Sequence, residues 1–267
     1  MCETTLAKTI RECVVNDYFT PSIKAEVILD TLLTPYVAEI VNAQSELRME
    51  LVAKEMSVLD TEQTKQNSTY GKKGTKIDYI LAGETFVYLV ELKTTDGSIK
   101  EKQARRYLSN CRSKTFGAVF GDKLLDILNQ TFKNASPWTV ETLHNTFHSV
   151  TEGYQGAAHA EQAKALLKGR KLDSTYKYLY TVGQILDYRS DGRDLEALWN
   201  KKLRLLYLAP DGDKWPSPLL ENEEKFYICP QGKKSFSLVE AGKYLGKKQD
   251  DALAQLLAGI IEEIYGG

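Results

Sequence analysis

Apolar positions early in the chain recur at intervals of three and four: Ile23, Val27, Ile28, Leu32 and Leu33, then Val37, Ile40, Val41, Leu47, Leu51 and Val52 beyond Pro35. This spacing predicts two helices between Pro21 and about Met56, the first capped by Thr20 or Ser22 and broken at Pro35. A first strand is predicted over 57–66, followed by a basic loop from Asn67 to Thr75 that contains Gly71 and Gly74. The pattern then changes. Lys76 to Lys93 reads as two strands joined by a turn at Gly83, and the second strand, Phe86 to Val90, is apolar without interruption. Unbroken aromatic and β-branched character is what a strand covered on both faces requires. A helix is predicted from Ile99 to Cys111, with Ser98 as N-cap and Glu101 three residues on, the spacing of a capping box. The stretch 120–197 reads as largely helical, with Tyr176 to Asp187 its most core-facing part. Lys202 to Ala209 is a strand stopped by Pro210-Asp211-Gly212, Phe226 to Cys229 an edge strand, and Asp251 to Tyr265 an amphipathic helix.

These elements predict one elaborated α/β domain over residues 1–267, with its core at about 20–112 and 198–267 and a helical insertion at about 115–197. The chain carries 42% hydrophobic and 27% charged residues, ordinary for a soluble globular protein. Its formal net charge of −1 provides no global field for a polyanion. Basic residues nevertheless cluster, at Lys72-Lys73, Lys100 to Arg106, Lys168 to Lys171 and Lys201 to Arg204. The four cysteines stand singly, which excludes a Cys-x-x-Cys zinc site and an iron–sulfur cluster. No run approaches the roughly 20 apolar residues of a membrane span, and charge from Glu3 onward excludes a signal peptide, so a cytoplasmic protein is expected.

The candidate chemistry lies in the strand pair. Glu91 and Lys93 are two residues apart at the end of the second strand, so alternation places them on one face. Charges at the mouth of a buried strand are costly unless paired or bound to metal. A hairpin would bring Asp78 of the first strand near Glu91, and a hard divalent cation relieves the repulsion of two close carboxylates. Magnesium holds one or two carboxylates and keeps waters, leaving room for a phosphate, while Lys93 could orient a water or stabilise developing charge. This set suits phosphodiester hydrolysis.

Asp78, twelve intervening residues and then Glu91-Leu92-Lys93 resemble the PD-(D/E)xK nuclease superfamily. Gln103-Ala104-Arg105-Arg106-Tyr107 is similar to the Gln-x-x-x-Tyr element of its RecB-like and lambda-exonuclease-like branch. The resemblance covers roughly residues 36 to 110, with Leu203 to Ala209 as a fourth core strand. It implies a restriction-endonuclease-like core, a mixed four-stranded sheet flanked by helices, and hydrolysis of DNA by a water activated on Mg²⁺ or Mn²⁺. It further implies Asp78, Glu91 and the backbone carbonyl of Leu92 as metal ligands, Lys93 as the catalytic lysine, and Gln103 and Tyr107 as residues that contact substrate or order the site. An additional acid is expected from the preceding helix, where Glu46, Glu50, Glu39 and Glu26 compete; Glu46, beside Leu47 on the inward stripe, is preferred. The chain departs from the pattern in having Ile77 where proline is expected, and it lacks the cysteine cluster of some RecB-like nucleases.

Around this set, Lys100, Arg106 and Lys73 are candidates for gripping a phosphate backbone. His144 and His148 stand four apart without the Glu of a metalloprotease motif and read as non-ligating. Tyr176, Tyr178 and Tyr180, like Trp138, Trp199 and Trp215, read as packing residues. The rival expectation is a catalytically inactive nuclease-fold protein that binds nucleic acid or a protein partner. A homo-oligomer is left open.

Overall fold

In the computed structural model, which describes residues 15, 25–58, 75–95, 101–121 and 195–266, one mixed sheet organises the chain. Its strands are β1 (Met49–Val58), β2 (Thr75–Gly83), β3 (Phe86–Leu92), β4 (Lys202–Ala209), β5 (Tyr227–Ile228) and β6 (Phe236–Ser237). β1, β2 and β3 form an antiparallel meander, β4 lies parallel to β3, and β5 and β6 both pair in parallel with β4.

Helices cover both faces, so the fold is α/β with three layers. On one side α3 (Glu101–Ser113), α4 (Leu195–Asn200) and α5 (Pro218–Glu221) contribute Tyr107, Leu108, Cys111, Leu198 and Leu220 to a core with Val87, Leu89, Leu203, Leu205 and Tyr207. On the other, α1 (Ala25–Leu33), α2 (Val37–Ala43), α6 (Leu238–Leu245) and α7 (Ala252–Tyr265) pack over Tyr88, Val90, Leu92, Leu206 and Leu208. β3 therefore buries alternate residues in two different cores, which is why Phe86 to Val90 is apolar without interruption. Burial of each such side chain contributes about 1.5–3 kcal/mol.

Local chemistry sets the joints. Pro35 lies in a 3-10 turn, Thr34–Tyr36, that separates α1 from α2 as the sequence predicts. Asp251 caps α7 by accepting hydrogen bonds from Leu253 N and Ala254 N, and also accepts the Tyr36 hydroxyl. At Gly83 a Cβ would lie 2.7 Å from the Tyr88 ring, so the β2–β3 turn needs glycine there. Among the described residues, no helix is long and apolar enough to cross a membrane.

One predicted boundary moves. The second helix ends at Ala43, and residues 49–58, expected to be mostly helical, are β1 instead. The Asn42 side chain donates to Met49 O at 2.9 Å and accepts from Met49 N at 2.8 Å, turning the chain from helix to strand. A register shift between Leu51 and Ala53 then puts Val52 and Ala53 into the same core, which erases the alternation by which a strand is recognised. The strand end predicted at 59–66 and most of the predicted insertion lie outside the described residues.

Candidate active site

The sheet forks at the predicted acidic pair. Pairing of β2 with β3 stops at Tyr79–Val90. Beyond that point β2 stays with β1 as far as Thr75–Val58, while β3 stays with β4 as far as Leu92–Leu208. Lys93 N extends the β4 side by donating to Leu208 O at 2.8 Å. Asp78 and Glu91, the next residues on each strand, stand at the mouth of the opening. Across from Asp78, between the pairs Lys54–Tyr79 and Met56–Ile77, Glu55 has a φ of 54°. A left-handed conformation is costly for a side chain other than glycine, and such outliers concentrate at functional sites.

The two strands contribute different environments. Asp78 Oδ2 accepts the Leu92 amide at 2.7 Å, giving a partner to a backbone donor that the fork has separated from β2. Glu91 and Lys93 follow Leu89 on the α3 face and are 2% and 5% exposed. Lys93 Nζ lies 2.6 Å from Glu91 Oε1. Gln103 Nε2 donates to the same oxygen at 2.7 Å and to the Tyr107 hydroxyl at 2.9 Å. Tyr107 has one proton for two acceptors, Glu91 Oε2 at 2.8 Å and the carbonyl of Lys76. Gln103 and Tyr107 are one helical turn apart on α3, so both reach the fork, and Tyr107 spans it from β3 to β2. The hydrogen bonds that hold Glu91 are charge-assisted, about twice the strength of neutral ones.

Burial pushes the Asp78 carboxyl up to about 8, and the Glu91 charge adds to the rise. The Leu92 amide and Lys93 pull the other way, and Asp30 raises it slightly further. A carboxyl so placed holds its proton at neutral pH unless a cation replaces it. Burial also raises the Tyr107 phenol, with the Glu91 charge next in effect, so it is a donor at any ordinary pH.

The structure thus brings together Asp78, Glu91, Lys93, Gln103 and Tyr107. Glu46 is not brought to them. The helix expected to carry it ends at Ala43, and Glu46 is exposed in the following bend; three residues on, Met49 pairs with Gly83, five positions along β2 from Asp78. Glu39 is engaged by Lys248 and Tyr244 instead. Glu50 is exposed on β1 opposite Ala82. The Glu26 side chain, Lys73 and Lys100 lie outside the described residues, as do His144, His148, Tyr176, Tyr178, Tyr180 and Trp138. Arg106 is half-buried on α3, where its carbonyl accepts from Ser109 and Asn110.

The sequence reading did not single out Asp30. It lies on α1, pairs with Lys54 at 2.7 Å, and its carbonyl accepts from the Tyr79 hydroxyl at 2.8 Å. Its Oδ1 is buried without a hydrogen-bond partner among the described residues. The signal was present, since Asp30 is the one acid in the run from Val27 to Leu33.

Asp78, Glu91 and the Leu92 carbonyl are hard oxygen donors, the type that suits a hard divalent cation. Among the described residues, no group of three His, Cys, Asp or Glu side chains is arranged to hold a metal. Two carboxylates are nevertheless within the number Mg²⁺ ordinarily takes, and burial, the main cause of the raised Asp78 pKa, disfavours a charged carboxylate there unless a cation accompanies it. No family model, curated protein or solved structure matches the chain.

Proposed function

We propose that this protein is a metal-dependent nuclease with a restriction-endonuclease-like core that hydrolyses DNA phosphodiester bonds. The observation that carries this reading is the meeting of Asp78, Glu91 and Lys93 at a fork in the sheet, with Gln103 and Tyr107 closing on Glu91. Asp78, Glu91 and the Leu92 carbonyl would hold Mg²⁺ or Mn²⁺. When bound, the ion supplies a water of lowered pKa and neutralises charge on the scissile phosphate.

The chain's own groups do the rest. Asp78, whose carboxyl is pushed up to about 8 without metal, would hold the ion in its deprotonated form. Lys93, held against Glu91, would orient the nucleophile through its Nζ and stabilise developing negative charge on the phosphate. Gln103 and Tyr107 keep the Glu91 carboxylate aimed into the fork. On α3, Lys102 is exposed and Arg106 half-exposed, which suits contact with a phosphate backbone.

A nuclease-fold protein that binds nucleic acid or a protein partner without cutting is the second reading. One observation favours it: both Glu91 oxygens already have donors, and Asp78 keeps its proton to about pH 8. The deciding experiment incubates linear and circular DNA with the purified chain in Mg²⁺ or Mn²⁺, beside Asp78→Asn and Lys93→Met. Cleavage by the native chain and by neither variant supports the nuclease. Loss of linear DNA alone indicates an end-dependent exonuclease, and nicked circles an endonuclease. Absence of cleavage together with absence of a metal-induced thermal shift transfers the assignment to the second reading.

A further inference from the structure

Carried three positions past its last pair, Tyr79–Val90, the β2–β3 register sets Lys76 against Lys93 across the open fork. The two lysines stand in opposite environments. Lys93 is buried against a buried carboxylate. The Lys76 side chain is 43% exposed, and its Nζ lies 2.6 Å from Oε2 of Glu55, whose side chain is 54% exposed. Glu55 belongs to the left-handed turn of β1 level with Asp78, so that turn brings a carboxylate to the lysine beside the fork.

The backbone of Lys76 is fixed as well. Its carbonyl accepts the Tyr107 hydroxyl, which also lies 2.8 Å from Glu91 Oε2, so a single hydroxyl links Lys76 to the candidate ligand on the other strand. Two residues along β2 from Asp78, the chain thus holds a cation at the rim of the site with its backbone anchored and its ammonium in solvent. An exposed ion pair adds little to stability, because water screens it and two long side chains lose freedom in forming it. A phosphate can therefore replace Glu55 at Lys76 at small cost, whereas a ligand for Lys93 must compete with a buried pair.

We infer that Lys76 binds a backbone phosphate beside the scissile one, exchanging Glu55 for the nucleic acid while Lys93 serves the reacting group. The inference deepens the reading above. It rests on a nucleic acid entering the fork, and it holds whether or not the strand is then cut. The phosphate at Lys76 does not react, so the contact is the same in bound substrate and transition state and acts on KM rather than kcat. It touches no base edge, so it carries no sequence preference.

Lys76→Met and Lys76→Arg in the full chain test this. Binding of labelled linear DNA is followed by fluorescence anisotropy in EDTA over a series of KCl concentrations, and cleavage in Mn²⁺ over the same series. For Lys76→Met the expected results are a several-fold weaker affinity, a KM raised to match and an unchanged kcat. Its log–log salt dependence is shallower by about 0.7–0.9, the loss of one phosphate contact. Lys76→Arg keeps the charge and restores affinity, KM and salt dependence. Melting temperatures without DNA match that of the native chain, because the pair that is broken is exposed. Native affinity, KM and salt dependence in Lys76→Met overturn the inference and leave the nuclease reading standing. A fall in kcat at unchanged KM also overturns it, since Lys76 would then act on the reacting group. So does a lowered melting temperature with DNA binding that Lys76→Arg fails to restore, which would make the side chain structural. A native chain that binds DNA without cutting it overturns the nuclease reading alone, and the salt dependence still decides the role of Lys76. A native chain that neither binds nor cuts DNA overturns both.

Discussion

One carboxylate oxygen of Asp78 accepts the backbone amide of Leu92 at 2.7 Å, across the point where β2 and β3 part. The bond ties a candidate ligand to the peptide unit next to a second one, Glu91, so the two strands present their oxygens as one unit. It also explains how a fork is tolerated in a buried sheet, where an amide separated from its ladder partner would otherwise cost about 1–3 kcal/mol.

The raised Asp78 pKa predicts how stability varies with pH. The folded value of about 8 lies above the 3.8 of the unstructured chain, so the fold prefers the protonated acid. The stability this group contributes is full below about pH 4 and is lost as pH rises through 8, on the order of 5 kcal/mol in total. Asp78→Asn removes that slope. Urea denaturation of the metal-free proteins at pH 5, 7 and 9 should show the variant gaining on the native chain as pH rises; parallel profiles would contradict the assignment.

Lys93 and Glu91 form a buried pair, so removing one partner strands the other. Lys93→Ala is expected to abolish cleavage and also to cost about 3–5 kcal/mol, because it removes the ammonium that lies 2.6 Å from the buried Glu91 carboxyl. The double variant Glu91→Gln with Lys93→Met should be equally inactive yet recover most of that stability. Equal destabilisation of single and double variants, measured by chemical denaturation, would mean that the pair is not coupled as its 2.6 Å contact implies.

Tyr107 closes the fork from above. Tyr107→Phe leaves Glu91 Oε2 and the Lys76 carbonyl without their shared donor, for an expected cost of about 1–3 kcal/mol. Amide exchange should quicken at Lys76 to Asp78 and at Glu91 to Lys93 ahead of the rest of β2 and β3. Uniform exchange along both strands would show that the hydroxyl does not hold them together.

Glu46 and Asp30 make opposite predictions. Glu46 is exposed and has no ion pair among the described residues, so Glu46→Ala should change stability by less than about 0.5 kcal/mol and leave cleavage unaltered. Asp30 helps raise the Asp78 pKa and pairs with Lys54. Asp30→Asn should therefore move the rise of activity with pH to lower pH, as read from kcat/KM profiles. An unshifted profile would separate Asp30 from the site.

Much of the site was legible because it depends on local periods. Period two put Glu91 and Lys93 on one face of β3, and one helical turn put Gln103 and Tyr107 together on α3. The misplaced β1 shows the limit of that logic, since a bulged strand and an amphipathic helix can place apolar residues at the same intervals.

By itself, the sequence determined that β3 is covered on both faces, that it ends in an opposed charge pair, and that α3 follows with a glutamine and a tyrosine facing it. Only the tertiary structure decided that β2 and β3 separate at Asp78 and that Tyr107 reaches Lys76 across the gap. It also decided that Asp30 adds to the rise of the Asp78 pKa, and that the Tyr207 hydroxyl, beside Glu91 in register, has no hydrogen-bond partner among the described residues. Short-range alternation follows from backbone geometry and is written into neighbouring residues. Register between β3 and β4 joins positions more than a hundred residues apart and is set by how two cores pack against one sheet, which no local pattern encodes.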